Sequence, residues 1–187
     1  MARGPVSPRT ARSLVLALGS NLGERADILQ GGVDAIAAIP EVQVMAVSPV
    51  YETVPVGGPA QPDYLNAVLL ARTTLPSPVL LGRLHEVEAA FDRVREVRWG
   101  PRTLDIDIIA VEGERSADPA LTLPHPRARE RAFVLGPWHD VDPDAVLPGH
   151  GAVAALLANA DQTGIRRSGA ALTVPPPSAR DDGPERA

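Results

Sequence analysis

"RWGPRTLDIDIIAVEG", residues 98–113, alternates apolar and acidic residues directly after a cluster of Arg, Trp, Gly and Pro. Side chains on a strand point alternately to its two faces. Leu104, Ile106 and Ile108 are therefore predicted to face one way, and Asp105 and Asp107 the other. The stretch predicts a strand with one apolar face and one face that carries two carboxylates. The Cα atoms of the two aspartates lie roughly 6.5–7 Å apart.

Three further strands are predicted upstream. Residues 14–19 form a short apolar run that ends in Gly, which indicates a buried strand. Residues 41–53 and 63–73 also have strand patterns, and Pro49 places the first of these at an edge or a bulge because proline has no N–H to donate. Together with the stretch above, these runs predict a sheet of four strands.

Two helices are predicted between the strands. Residues 20–40 begin with cap-type residues and end at a proline, and the paired Gly31 and Gly32 either weaken this helix or mark close packing against the sheet. The second helix is predicted to begin with Ser77 as its N-cap and Pro78 at the first helical position. Its apolar stripe has a 4-3-4 spacing and consists of Leu80, Leu84, Val87 and Phe91.

This order of elements predicts an α+β fold of the ferredoxin-like βαββαβ type, a sandwich of one antiparallel sheet with helices on one face, followed by an irregular C-terminal extension. The other face of the sheet would then be free for a site. We expect one domain over residues 13–174. Residues 1–12 and 175–187 are rich in Pro, Arg and Asp with little to bury, and we expect both to be disordered tails.

The overall composition excludes several classes of protein. No window approaches eighteen consecutive apolar residues, and the N-terminus lacks the apolar region of a secretory signal, so we expect no membrane association. The net charge of −5 argues against a general nucleic-acid binder. The chain has no Cys, which is compatible with a reducing cytoplasm, and we expect a cytoplasmic monomer. All eighteen basic residues are Arg, so any phosphate-binding cation must be a guanidinium.

Asp105 and Asp107 are the candidate metal ligands. Carboxylates at this spacing can converge on one Mg²⁺ ion, or on two ions about 3.5–4 Å apart. The D-x-D pattern alone also allows an alternative, in which the two aspartates lie on a solvent-exposed strand face and bind no metal.

Arginines cluster on both sides of the two aspartates: Arg93, Arg95, Arg98 and Arg102 before the strand, and Arg127, Arg129 and Arg131 after it. Such clusters repel themselves unless an anion occupies them. Metal-binding carboxylates beside guanidinium groups are typical of sites of phosphoryl transfer, because Mg²⁺ and Arg neutralise the charge on the transferred group. The alternative is an Arg-rich, solvated loop. No P-loop and no G-x-G-x-x-G motif occurs in the chain.

At this point the chain resembles the 6-hydroxymethyl-7,8-dihydropterin pyrophosphokinase family, which transfers the β,γ-pyrophosphate of ATP to a pterin alcohol in folate biosynthesis. The resemblance covers roughly residues 14–160. It rests on four segments that occur in the order and spacing of that family: "ALGSNLG" (17–23), "QPDYLNAV" (61–68), "RWGPRTLDIDII" (98–109) and "LTLPHPRARERAFVL" (121–135).

The resemblance implies a role for each matched residue. Asp105 and Asp107 would bind two Mg²⁺ ions and, with Arg93 and Arg102, form the catalytic set. ATP, the co-substrate, would be contacted by His85, Glu88, Arg95, Trp99, Ile108, Thr122, His125 and Arg131. The pterin would be contacted by Thr53, Val56, Tyr64, Asn66, Trp99 and Phe133. The chain departs from the family at His85, often Gln there, at Pro126, often aromatic, and at Ala120, often basic.

Three other functions are weighed against this one. A ferredoxin-like sheet can bind single-stranded RNA, but that needs exposed aromatics and a basic balance, whereas aromatic residues are only 3% of this chain. A D-x-D metal-dependent nucleotidyltransferase or hydrolase would share the metal site and lack the pterin pocket. A catalytically degenerate pyrophosphokinase is the third, because the departures above weaken the argument for nucleotide affinity.

Overall fold

The computed structural model describes residues 10–55, 60–91 and 103–176. The strands are β1 Arg12–Ser20, β2 Val42–Val47, β3 Tyr51–Thr53, β4 Tyr64–Thr73, β5 Asp105–Val111, β6 Ser116–Asp118, β7 Leu121–Leu123, β8 Val146–Leu147, β9 Gly151–Ala152 and β10 Ile165–Arg167. The helices are α1 Arg25–Ala37, α2 Ser77–Ala90, α3 Ala132–Val141 and α4 Val153–Asn159. Among these described residues, no helix has the length and apolar character needed to cross a membrane.

The main sheet is antiparallel and has the order β10-β3-β4-β1-β5, with β2 also paired to β4. The βαββαβ order predicted from the sequence is therefore present. The run at 41–53, predicted as one strand, is two strands separated by Ser48, Pro49 and Val50. Pro49 has no N–H to contribute to the ladder, and Ser48 keeps the segment attached to β4 because its Oγ accepts the N–H of Val68 at 2.9 Å.

The two predicted helices cover one face of the sheet and form the larger core. Leu104, Ile106 and Ile108 all point into this core with exposures of 4% or less, as the alternation predicts. A Cβ atom on Gly32 of α1 would lie 3.1 Å from Leu104 Cδ2. Gly32 therefore marks close packing of α1 against the sheet, and Gly31 marks close packing against Phe91 at the end of α2.

Ser77 does not cap α2. The helix begins at Ser77 itself, and Pro76 occupies the N-cap position without a side-chain bond. The buried Ser77 hydroxyl donates instead to Glu114 Oε2 at 2.6 Å, and the Arg12 guanidinium contacts the same oxygen. Tertiary contacts with the turn after β5 thus replaced the local capping bond that the sequence predicts. Arg12, assigned to the N-terminal tail, is the first residue of β1.

The C-terminal section is more regular than predicted, and it covers part of the other face of the sheet. The helices α3 and α4 pack there against Val68 of β4 and against Ile109 and Ala110 of β5 in a second core that contains Trp138. A register shift in the β1–β5 pairing brings both Ile109 and Ala110 to this face. The end of the face that carries Asp105 and Asp107 is not covered by this core.

Residues 160–176, called here the C-terminal strap, run from α4 along the edge of the sheet. Strand β10 of the strap pairs with β3, and Arg166 forms an ion pair with Glu52 at 2.6 Å. Further along, the backbone of Thr173 exchanges hydrogen bonds with the Gln30 side chain of α1. The strap is therefore anchored at both ends. Residues 1–9 and 177–187 of the two predicted tails lie outside the described residues.

Glu52 offers a test of this anchoring. A hydrogen bond from Arg25, reinforced by the charge of Arg166, holds the pKa of Glu52 below its ordinary value. A carboxyl whose pKa is lower in the folded than in the unfolded chain stabilises the fold above its unfolded-state pKa, and this contribution is lost as the pH falls through the folded-state pKa. Glu52→Gln should lower the free energy of unfolding at neutral pH by on the order of 1 kcal/mol, and by progressively less on acidification.

Urea unfolding from neutral pH down to about pH 3 measures this difference. The matched control is Glu86→Gln, which removes the exposed Arg83–Glu86 pair on α2 and should change stability by only a few tenths of a kcal/mol. An equal loss at every pH for Glu52→Gln would contradict the assignment of its stabilising effect to the ionised carboxylate.

Candidate functional site

A pocket of about 300 Å³ opens on the sheet face opposite α1 and α2. Its walls come from the ends of β1, β3, β4 and β5, from the start of α3, and from the C-terminal strap. Seven residues predicted for the site line this one pocket: Thr53, Tyr64, Asn66, Asp105, Asp107, Arg131 and Phe133. The fold thus brings together predicted residues that are up to 80 positions apart in the sequence.

The floor of the pocket is made of small residues on the central strand. Gly19 pairs with Asn66 of β4 on one side and with Asp105 of β5 on the other. A Cβ atom at Gly19 would lie only 3.2 Å from Asn66 Oδ1. The next floor residue, Ala17, pairs with Asp107. The absence of a side chain at Gly19 therefore keeps open the passage between the amide of Asn66 and the carboxylates.

The β3–β4 end of the pocket has polar groups suited to a flat heterocycle. Asn66 and Thr53 are buried, with exposures of 7% and 4%, and Asn66 Nδ2 donates to Thr53 Oγ1 at 2.8 Å. This bond fixes the orientation of the amide. Tyr64 and Phe133 add aromatic walls, and aromatic faces stack on flat rings.

The β5 end carries charge. Arg131 Nη1 donates to Asp107 Oδ2 at 2.9 Å, and its guanidinium lies 5.5 Å from the centroid of the Phe133 ring. This contact of a cation with an aromatic face joins the acidic end of the pocket to its aromatic wall. Both Arg131 and Phe133 are at the start of α3, so this helix positions them together.

His125 lies next to Asp107, with its Nε2 atom 3.9 Å from Asp107 Oδ2. Its backbone N–H donates to the carbonyl of Ile109 on the outer edge of β5 at 2.8 Å. Burial lowers the pKa of His125, and the nearby Asp107 charge only partly offsets this effect. The imidazole is therefore neutral at pH 7, since its ordinary pKa is about 6.5, and can donate or accept a hydrogen bond without adding charge.

The donor set at the acidic end fits Mg²⁺. Both aspartates are half-buried on the pocket face, and they offer the hard oxygen ligands that this ion prefers. Within the described part of the chain, no group of three or more His, Cys, Asp or Glu side chains could hold a metal. Two carboxylates suffice for Mg²⁺, which commonly keeps several waters and takes its other ligands from substrate phosphates.

Five of the predicted ATP contacts do not line the pocket: His125, described above, and four others. His85 is exposed on α2, and Thr122 donates its hydroxyl to the carbonyl of Asp118 in the β6–β7 hairpin. Glu88 is 1% exposed and accepts the backbone N–H of Ile106 at 2.9 Å, which ties α2 to β5. Ile108 is 4% exposed and points into the core on the helix side. Strand alternation turns its side chain away from this pocket, and its role as an ATP contact stays a prediction.

The predictions for Val56, Arg93, Arg95, Trp99 and Arg102 lie outside the described residues.

Several pocket residues were missed by the sequence reasoning: Gln61, Glu130, Asp161, Thr163 and Ile165. Gln61 stands within the quoted segment 61–68 and accepts an amide N–H from Asn21 at 3.0 Å. Arg127, which also lines the pocket, belongs to the Arg cluster noted after the strand. The strap residues carry no local signal, because only the pairing of β10 with β3 brings them to the pocket.

Comparisons with known proteins agree with this geometry. A family model described as 7,8-dihydro-6-hydroxymethylpterin-pyrophosphokinase (HPPK) matches residues 15–143. The chain is 46% identical over 152 residues to a 2-amino-4-hydroxy-6-hydroxymethyldihydropteridine pyrophosphokinase of Methylorubrum extorquens, which covers 81% of this chain and 96% of the relative. It is 43% identical over 153 residues to the protein of the same name from Pseudomonas aeruginosa, with coverages of 81% and 94%.

Solved structures share the fold. The chain superimposes on wild-type Plasmodium falciparum HPPK-DHPS, crystallised with pterin and p-hydroxybenzoate, with a TM-score of 0.62 at 13% identity. The match covers 82% of this chain and 42% of that one, so the chain spans less than half the length of the solved protein. This likeness supports the predicted ferredoxin-like α+β fold.

The family model covers most of β1, the strands β2 to β7, both helices of the main core and the whole of α3. The matches to relatives above 40% identity extend over nearly the whole length of those relatives. The chain therefore belongs to the 7,8-dihydro-6-hydroxymethylpterin pyrophosphokinase family.

Proposed function

We propose that this protein transfers the terminal diphosphate of ATP to the hydroxymethyl group of 6-hydroxymethyl-7,8-dihydropterin, releasing AMP, as an enzyme of folate biosynthesis. The observation that carries the proposal is the single pocket in which the Asn66–Thr53 pair faces the Asp105–Asp107 carboxylates across the side-chain-free floor at Gly19. Membership of the family supports the same reaction. The predicted cytoplasmic location and monomeric state are further proposals from the sequence.

The pterin would occupy the β3–β4 end of the pocket. Tyr64 and Phe133 provide aromatic surface for the ring. The amide of Asn66 is oriented by its bond to Thr53, and an amide oxygen held in this way can accept an N–H from the edge of the heterocycle. The hydroxymethyl arm would then extend over Gly19 toward the carboxylates.

The triphosphate would occupy the β5 end. We propose that Asp105 and Asp107 hold Mg²⁺ there, two ions as the family resemblance implies, and that Arg131 and neutral His125 contact phosphate oxygens. Bound at this place, Mg²⁺ supplies neutralisation of phosphate charge. Arg131 already stands at the carboxylate and has a fixed position on α3. Arg93, Arg95, Arg102 and Trp99 are proposed to complete the ATP site, and Glu88, His85 and Thr122 remain weaker candidates.

The reaction needs no nucleophilic side chain. The hydroxyl oxygen of the pterin forms a bond to the β-phosphorus, the bond between that phosphorus and the α,β-bridging oxygen breaks, and AMP leaves with the electron pair, while the hydroxyl proton is released. Catalysis of this kind consists of positioning and charge neutralisation. The residues of the pocket would supply both by holding the alcohol and the phosphates in one cavity.

A direct assay distinguishes this function from the alternatives. The protein is incubated with ATP, Mg²⁺ and the reduced pterin alcohol, and the nucleotide products are separated. AMP that forms only when pterin is present supports the proposal. ADP, or hydrolysis that does not depend on pterin, would indicate the D-x-D hydrolase or nucleotidyltransferase, and no turnover with retained pterin binding would indicate the degenerate enzyme.

Asp107→Asn tests the metal assignment. The change keeps the size of the side chain and its acceptor for Arg131, and it removes one anionic oxygen ligand, so turnover should fall by about 10²-fold or more while pterin binding persists. Calorimetric titration with Mg²⁺ and a nonhydrolysable ATP analogue should show weaker nucleotide binding. Asp34→Asn, on the exposed side of α1, is the control. Near-normal turnover for Asp107→Asn at ordinary Mg²⁺ would remove the assignment.

Gly19→Ala tests the open floor. The new methyl group would press on Asn66 Oδ1 from 3.2 Å, whereas its contact with Tyr64 Cδ1 at 3.8 Å is an ordinary one. We therefore expect pterin affinity to fall about tenfold, as a small misplacement in a packed site does. Fluorescence titration with the pterin measures this. The control is Gly82→Ala on α2, where a Cβ meets nothing within 4 Å; it should leave affinity unchanged and stabilise the helix by up to about 1 kcal/mol. Unaltered pterin affinity in Gly19→Ala would contradict the proposed route across the floor.

A further inference from the structure

Gln61 and Tyr64 form one corner of the pocket beside its floor. Both residues line the pocket, and the Tyr64 hydroxyl donates to Gln61 Oε1 at 3.3 Å. A Cβ atom at Gly19 would lie 3.8 Å from Tyr64 Cδ1, so the tyrosine ring stands next to the floor. Tyr64 is therefore held at two points, by its backbone at the start of β4 and by its hydroxyl on Gln61.

Asn21 bonds to the same oxygen of Gln61 from outside the pocket. It directly follows β1, is 1% exposed and does not line the pocket. Its Nδ2 donates to Gln61 Oε1 at 3.0 Å and to the carbonyl of Pro62 at 3.1 Å. A carbonyl oxygen has two lone pairs, so Gln61 Oε1 can accept from Asn21 and Tyr64 together. The three side chains thus form a hydrogen-bonded series from a buried amide to an aromatic wall.

The backbone that leads into β4 has further anchors. Arg25 of α1 donates from Nη1 to the carbonyl of Asp63 at 2.6 Å, and β4 pairs with β3 from its first residue, Tyr64. These bonds hold the path of the chain independently of Asn21. Loss of the Asn21 amide would therefore act mainly on the side chains of Gln61 and Tyr64.

The orientation of the Tyr64 ring matters for a flat ligand. A tyrosine side chain rotates about two bonds, and stacking depends on the plane and the offset of the two rings. A wall that is already fixed in its stacking position loses less conformational entropy when the ligand binds. A bond that fixes the hydroxyl therefore contributes to affinity without touching the ligand.

We propose that Asn21 is a positioning residue for the pterin, which acts through Gln61 to hold the Tyr64 ring in the plane that stacks on the heterocycle. Asn21 itself would not contact the substrate. This inference rests on the function proposed above, and it adds to the pterin site a residue that the family resemblance did not supply.

A double-mutant cycle on the pterin KM tests this inference. Tyr64→Phe keeps the ring and removes only its hydroxyl, and Asn21→Ala removes the buried donor to Gln61. Each single change should raise the pterin KM about fivefold, which corresponds to one neutral hydrogen bond, with kcat and the KM for ATP little changed. Because both changes act through one acceptor, the double variant should also show about a fivefold rise, whereas independent effects would multiply to about 25-fold.

Tyr51→Phe is the matched control. The Tyr51 hydroxyl is also bonded, since it donates to Asp140 Oδ2 at 2.6 Å, and Tyr51 does not line the pocket. This variant should keep the wild-type pterin KM. Urea unfolding shows whether each variant is folded. If Asn21→Ala does not fold, Asn21→Ser takes its place in the cycle, because serine suits a turn and its hydroxyl is one bond closer to the backbone than the amide nitrogen.

The outcomes separate this inference from the proposed function. If wild type forms no AMP from ATP and pterin, the proposed function fails first. If wild type forms AMP and Tyr64→Phe keeps the wild-type pterin KM, the hydroxyl bond does not position the ring and the inference is overturned. Effects of Asn21→Ala and Tyr64→Phe that multiply would overturn it as well, since Asn21 would then act by another route. A change of kcat and of the ATP KM by the same factor as the pterin KM would show a purely structural role for Asn21, with the same consequence.

Discussion

The burial of one face of the sheet against α1 and α2 is the constraint on which the rest of the structure depends. Leu14, Leu16 and Leu18 of the central strand are each 1% exposed or less, and they pack in the same core as Ile106 and Ile108. A slip of one residue in the β1–β5 register would turn these apolar side chains to the other face. The register that buries them also sets Asp105 opposite Gly19 and Asp107 opposite Ala17. The energy of the core thus fixes the geometry of the site.

The second layer of the molecule completes the pocket without filling it. The helices α3 and α4 cover the β4–β5 surface around Val68 and Ile109, and α3 begins where the covered area ends, so that Phe133 enters the pocket as its wall. The strap covers the opposite rim through pairing with β3. The charges follow the same division: Arg131 neutralises Asp107 within the pocket, while Arg166 and Arg167 are used outside it to hold the strap.

Local patterns predicted much of this arrangement. Alternation in residues 104–108 predicted which side chains are buried and which face the site, because a strand in a half-covered sheet has only these two faces. Local reasoning failed where a distant partner intervened. Ser77 has the residue type of an N-cap, yet its hydroxyl bonds to Glu114, and Glu88 serves the start of β5 in the fold. The family resemblance located Asn66, Thr53 and Phe133, which no pattern in the sequence would have placed in one pocket.

By itself, the sequence determined the βαββαβ order as far as β5, the apolar and acidic faces of β5, and the chemistry available at the site, since these depend on neighbours within a few residues and on residue type. Only the tertiary structure decided that α3 and α4 share the face that carries the acids, and that Asp161 and Thr163 reach the same pocket as Asp105. The physical reason is that these placements depend on contacts between distant segments. The helices α3 and α4 pack on Val68 and Ile109, and the strap is held about 115 residues away in sequence by the pairing of β10 with β3 and of Arg166 with Glu52. Hydrophobic periodicity depends only on residues that are close in sequence, so it does not predict such contacts.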